Sequence, residues 1–147
     1  MVRDAAAYQS VWVAIRILVV DDSPPFRRHA HELLTLRGLE VIAAAADGDD
    51  AIAAVVRACP DGVLLDINLP GRDGYAIASS LAMLCPAARI VLTSSDVDGV
   101  SAVVLDECGA TAFVAKLDLA TIDAQRLFSG GGLAGLEERE TAGPSRP

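Results

Sequence analysis

A chain of 147 residues with a formal net charge of -8 suits one domain of roughly 100 to 150 residues and opposes non-specific attraction to phosphate backbones or anionic membranes. Direct nucleic-acid binding and membrane association are therefore disfavoured. Hydrophobic residues make up 52% of the chain but aromatics only 4%, so its core must be layered from Ala, Val, Ile and Leu, as in an α/β protein.

Residues 1–14, with the only tryptophan, Trp12, read as an N-terminal extension. The apolar stretch from Ala5 to Val20 is broken by Tyr8, Gln9, Ser10 and Arg16 and is too short to span a membrane, which points to a cytoplasmic protein. Residues 15–20 are β-branched and apolar, end at Asp21-Asp22, and predict a buried first strand. Ser23-Pro24-Pro25 opens a helix with Phe26, Ala30, Leu33 and Leu34 on one face, ending near Gly38. A second strand over 39–44 leads through Asp47-Gly48-Asp49-Asp50 into a helix whose inward stripe is Ala51, Ile52, Val55, Val56 and Cys59, stopped by Pro60.

The third strand, 63–66, runs three apolar residues straight into Asp66 and then into Asn68, Pro70, Gly71, Asp73 and Gly74, a loop cluster. A helix follows with Ile77, Ala78, Leu81 and Leu84 inward, until Pro86. Residues 89–93 predict a fourth strand, 97–108 a helix closed by Gly109, 111–115 a fifth strand delivering Lys116, and 119–128 a short final helix. Gly130-Gly131-Gly132 and the polar run to Pro147 read as a flexible tail at 130–147, so that one domain spans 15–129 and no output domain is expected after it. Cys59, Cys85 and Cys108 lack paired spacing, which argues against a disulfide framework and for buried thiols in a reducing compartment.

Alternation of strands and helices specifies a parallel sheet covered on both faces, because right-handed crossovers lay each helix against it. The strand ends then gather Asp21, Asp22, Asp66, Thr93 and Lys116 at one edge, where open parallel sheets place their chemistry. Carboxylates about 5 Å apart repel by roughly 3 kcal/mol at an effective dielectric near 20, which Lys116 offsets only in part. An all-oxygen cluster of that charge suits Mg²⁺, and the lack of His or Cys argues against zinc. Each residue also has an ordinary reading: Asp21-Asp22 as a helix cap, Thr93 as a hydroxyl bonded to backbone, Lys116 as a surface lysine, Phe113 as core. His29 and His31 read as solvated surface.

The set Val19-Val20-Asp21-Asp22-Ser23, Asp66 followed by Pro70-Gly71-Arg72-Asp73-Gly74, Val91-Leu92-Thr93-Ser94 and Phe113-Val114-Ala115-Lys116 resembles the receiver domain of two-component response regulators, over residues 15–128. The resemblance implies a flavodoxin-like, doubly wound, five-stranded parallel sheet of order 2-1-3-4-5 with five helices. It implies that Asp66 accepts a phosphoryl group from a phosphohistidine on a sensor histidine kinase or phosphotransfer protein. Asp22, Asp66 and the carbonyl of Asn68 would hold Mg²⁺, with Asp21 contacting it mainly through water. Lys116 would pair with Asp66, Thr93 would donate to a phosphoryl oxygen, and Phe113 would move inward as Thr93 does, reshaping the fourth helix, fifth strand and fifth helix for a downstream protein partner or a homodimer. Three carboxylates, Mg²⁺ and Lys116 sum to about zero before transfer and to roughly -1 after it.

Leu117 stands where the family usually has proline with a cis bond; a non-proline cis bond costs about 2.5 to 4 kcal/mol, so a trans bond and a shifted loop are expected. That departure motivates an alternative, a constitutive interaction module that has lost phosphorylation. A Mg²⁺-dependent phosphohydrolase is a third reading, weakened because Asn68 stands where a general acid would be needed.

Overall fold

A computed structural model describes residues 13–96 and 98–129, so Trp12, most of the N-terminal extension, Val97 and the tail at 130–147 lie outside the described residues. Five apolar runs form strands β1 (Arg16–Val20), β2 (Glu40–Ala45), β3 (Gly62–Asp66), β4 (Arg89–Ser94) and β5 (Ala112–Ala115). They make one parallel sheet in the order β2-β1-β3-β4-β5, the flavodoxin-like order expected. Between and after them run α1 (Pro24–Leu36), α2 (Gly48–Arg57), α3 (Gly74–Leu84), α4 (Ala102–Cys108) and α5 (Ala124–Phe128).

Because successive side chains on a strand point to opposite faces, the sheet divides its apolar residues into two layers. Leu18, Val20, Val63, Leu65, Ile90 and Leu92 pack with α2, α3 and α4. Ile17, Val19, Leu64 and Val91 face the other way, onto Ala30 and Leu34 of α1 and Leu127 and Phe128 of α5. The central strands are buried on both faces, as covered parallel sheets require.

Several element bounds differ from expectation for local reasons. The α4 helix starts at Ala102 rather than 97: Ser101 caps it through Val104 N at 3.2 Å, while Asp96 forms a turn onto Asp98 N at 3.0 Å. Instead of a helix over 119–128, the chain makes a 3₁₀ turn at Lys116–Asp118, buries Leu119, and restarts at α5, where Asp123 caps Arg126 N at 3.2 Å. The short helix is held across the domain: Arg37 Nη1 donates to the Ile122 carbonyl at 2.7 Å and Gln125 to the Arg37 carbonyl at 2.8 Å. Val56 and Leu84 are exposed rather than inward, since the buried stripes run through Ala51, Ala54 and Val55 on α2 and Ile77, Ala78 and Leu81 on α3.

The cysteine expectation is overturned for two of the three. Cys59 just after α2 and Cys85 just after α3 form a disulfide, with Cα atoms 6.0 Å apart, and only Cys108 is a buried free thiol. Their partnership comes from the fold, which sets the ends of two helices side by side after 26 residues, and not from local spacing. The inference to a reducing compartment loses its basis. Closing a loop of that length restricts the unfolded chain by about 3 kcal/mol. Reduction should therefore lower the urea midpoint by a corresponding amount, and an unchanged midpoint under dithiothreitol would show that the link contributes nothing. Among the described residues no helix is long and apolar enough to cross a membrane.

Candidate functional site

The carboxyl ends of β1, β3, β4 and β5 bring together the residues read from the sequence. Asp21 directly follows β1 and is fully buried, Asp22 beside it is exposed, and Asp66 closes β3 at 4% exposure. One carboxylate oxygen from each of the three lies within 4.8 Å of the others. Hard oxygen donors at that spacing fit a small divalent cation such as Mg²⁺, and among the described residues no His or Cys joins them.

Local hydrogen bonds hold the two buried acids. Asp21 Oδ1 accepts from Ser23 N at 2.9 Å, and its carbonyl accepts from Arg27 Nη1 at 2.6 Å. The helix cap proper is Ser23, whose Oγ accepts from Phe26 N at 3.2 Å, so Asp21 and Asp22 are not the cap. Asp66 Oδ1 accepts from Asn68 N at 2.9 Å, and Asn68 Nδ2 donates to Ser94 Oγ at 2.8 Å.

Lys116 reaches in from the end of β5. Its Nζ stands 2.7 Å from Asp21 Oδ2 and 3.4 Å from Asp66 Oδ2, so its nearer partner is Asp21 rather than the Asp66 expected. Leu117 has not displaced it: no cis peptide bond occurs among the described residues, the chain takes the 3₁₀ turn, and the ammonium still lies between the two carboxylates. Burial works against the charged ammonium, but its hydrogen bond to Asp21 and the charges of Asp21 and Asp66 outweigh that and raise its pKa. For Asp66 burial prevails, aided by the Asp21 charge, over the opposing Asn68 and Lys116 contacts, and its pKa rises.

A carboxyl whose folded pKa lies above its ordinary 3.8 destabilises the fold while ionised, and the penalty fades as pH falls through the raised value and is gone below the ordinary one. Without divalent cations, Asp66→Asn should thus unfold at a higher urea concentration than the native chain at pH 7, with a gap that closes on acidification. A lower midpoint at pH 7 would mean that Lys116 outweighs burial.

Thr93 pairs with Asp66 across the β3-β4 ladder. It is fully buried, and its Oγ1 has no hydrogen-bond partner among the described residues, contrary to the ordinary reading of a hydroxyl bonded to backbone. An unsatisfied buried hydroxyl costs about 1 to 3 kcal/mol and calls for an explanation. Phe113 on β5 is half-buried against the layer beneath α2, α3 and α4. His29 and His31 are exposed.

Residues 17–126 match the response regulator receiver domain. The chain belongs to that family. It is 39% identical over 132 residues to a protein-glutamate methylesterase/protein-glutamine glutaminase of Myxococcus xanthus, a match covering 88% of this chain and 37% of the relative. A similar methylesterase of Archaeoglobus fulgidus is 34% identical over 110 residues, 74% of this chain and 32% of that protein. The chain thus spans about a third of the length of the curated relatives it matches. Among solved structures, a two-component response regulator of the LuxR family from Aurantimonas superposes with a TM-score of 0.71 at 30% identity, covering 87% of this chain and 99% of that one. The response regulator domain of Thermotoga maritima CheB gives 0.62 at 25% identity, over 92% and 100% of the two chains.

Within this receiver domain two contributors escaped the sequence reading. Ser94 enters the sequence reading only as the last residue of Val91-Leu92-Thr93-Ser94, with no role of its own, yet it holds the Asn68 side chain and accepts from Asp96 N at 3.0 Å. Phe26 was placed on the core face of α1, yet its ring lies beside the Lys116 ammonium.

Proposed function

We propose that this receiver domain takes a phosphoryl group on Asp66 from a phosphohistidine and uses it to change protein contacts. The observation that carries this reading is a cluster of three carboxylates at the end of a parallel sheet, of which the two buried ones, Asp21 and Asp66, share one lysine ammonium.

Asp66 Oδ2 attacks phosphorus in line with the leaving imidazole. The new P–O bond forms as the P–N bond breaks, and the imidazole keeps the electron pair and takes up a proton. Little covalent help is needed, so positioning and charge neutralisation are the main demands on the protein. Asn68 N–H holds Asp66 Oδ1 and so orients the attacking oxygen. Asp22, Asp66 and the Asn68 carbonyl would hold Mg²⁺, with Asp21 behind, and the chemistry Mg²⁺ supplies when bound is neutralisation of charge on the transferring group. Lys116 exchanges its Asp21 contact for phosphoryl oxygens, and Thr93 donates its free hydroxyl to one of them. Phe113 follows Thr93 inward, and α4, β5 and α5 present the altered surface to a partner or a second copy.

Intact mass after incubation with Mg²⁺ and acetyl phosphate tests the reading, on the native chain and Asp66→Asn. A phosphoryl adduct on the native chain alone is expected. No adduct, while a known receiver is labelled in the same buffer, would overturn it and leave a constitutive interaction module.

A further inference from the structure

The Lys116 ammonium has a neighbour besides the two carboxylates. The ring of Phe26 lies with its centroid 4.3 Å from Nζ, in cation–π range. Three features fix that ring. Ser23 Oγ accepts from Phe26 N, and Pro24 and Pro25 set the backbone of the first turn of α1. Phe26 also packs against the apolar layer that contains Leu119, which lies three residues beyond Lys116 and is itself 1% exposed. One cluster thus anchors both the ring and the chain segment that carries the lysine.

We propose that Phe26 is a positioning residue for phosphoryl transfer, its ring face holding the Lys116 ammonium beside Asp66. The inference rests on Asp66 being the phosphoacceptor. A carboxylate draws the ammonium toward one oxygen, and Asp21, at 2.7 Å, draws it away from the reacting group. The attraction of a ring face is less directional, so it persists while Nζ passes from Asp21 to the incoming phosphoryl oxygens. It also shields one side of the ammonium from water, consistent with a Lys116 side chain only 18% exposed.

The test compares rates of phosphorylation by acetyl phosphate in the native chain, F26L, F26Y, K116M and the F26L/K116M pair. F26L should slow the reaction about three- to tenfold and F26Y should stay within about twofold of native. The F26L loss should vanish in the K116M background, because the ring acts through the lysine. A native rate in F26L, or the same loss in both backgrounds, overturns the proposal. Should F26L fail to fold, pentafluorophenylalanine at position 26 keeps the ring's shape and reverses its quadrupole; a slowed rate then supports the proposal and a native rate overturns it. In unphosphorylated protein the ring should shift the Lys116 Hε resonances upfield in the native chain and F26Y but not in F26L. If that shift is missing, the ammonium is not over the ring. If it is present but the native chain takes no phosphoryl group, the phosphoacceptor reading fails, and the role given to Phe26 with it.

Discussion

Lys116→Met is expected to slow the phosphoryl transfer proposed for Asp66 by about two orders of magnitude and at the same time to tighten Mg²⁺ binding. The loss follows from removing a preorganised cation aimed at developing charge, which typically costs a factor of about 100 to 1,000. The gain follows from the position of that cation in the structure. Lys116 sits 2.7 Å from Asp21 Oδ2, inside a group of three carboxylates, so it lowers the net charge that a divalent ion meets from about -3 to about -2. Without it, two buried acids lack their ion pair and the metal-free fold should lose up to about 3 kcal/mol, which added Mg²⁺ restores. Adduct formation by intact mass gives the rate, and calorimetric titration gives the affinity. A weaker or unchanged Mg²⁺ affinity would show that the lysine does not face the carboxylates in solution.

Gly74→Ala should cost about 3 kcal/mol, although the position lies at the start of a helix, where alanine is ordinarily welcome. An ideal Cβ there would stand 2.5 Å from both Cα and O of Ile67 and 2.7 Å from its carbonyl carbon. All three atoms are backbone, so no rotamer change relieves the overlap, and either the start of α3 or the turn after β3 must move. Ile67 lies between Asp66 and the Asn68 N–H that holds it, so the displacement reaches the site and should weaken Mg²⁺ binding too. Gly71→Ala is the contrast. Nothing lies within 4 Å of a Cβ there, and only its positive φ of 77° opposes alanine, at about 1 to 2 kcal/mol. Urea midpoints of the two variants check the difference, and equal losses would sink the clash argument.

Much of this arrangement was legible in the sequence because the strand-end residues are marked by an abrupt change of polarity. Asp66 follows three apolar residues and Lys116 follows Phe113-Val114-Ala115, so their places at strand ends required no knowledge of strand order. Strand order came through the family resemblance. What escaped the reading depends on which elements become neighbours. The Cys59–Cys85 link joins two helix ends whose proximity no local spacing encodes. The preference of Lys116 for Asp21 over Asp66 is a matter of tenths of an ångström across the sheet edge. Phe26 occupies the same helix face whether it serves as packing or as a wall for an ammonium, so periodicity alone treats the two alike. The late start of α4 turned on competition between nearby caps, with Ser101 prevailing over the turn made by Asp96.

The unpaired hydroxyl of Thr93 also bears on how the domain behaves before any phosphoryl donor arrives. A hydroxyl that first had to surrender a hydrogen bond would add about 1 kcal/mol to the switched arrangement, roughly a fivefold reduction in its population. Under the switch proposed above, Thr93 Oγ1 has no partner among the described residues to surrender, so the resting domain should visit that arrangement more often. A partner that prefers it could then capture it without phosphate, and basal signalling would be set by the partner's concentration as well as by the kinase.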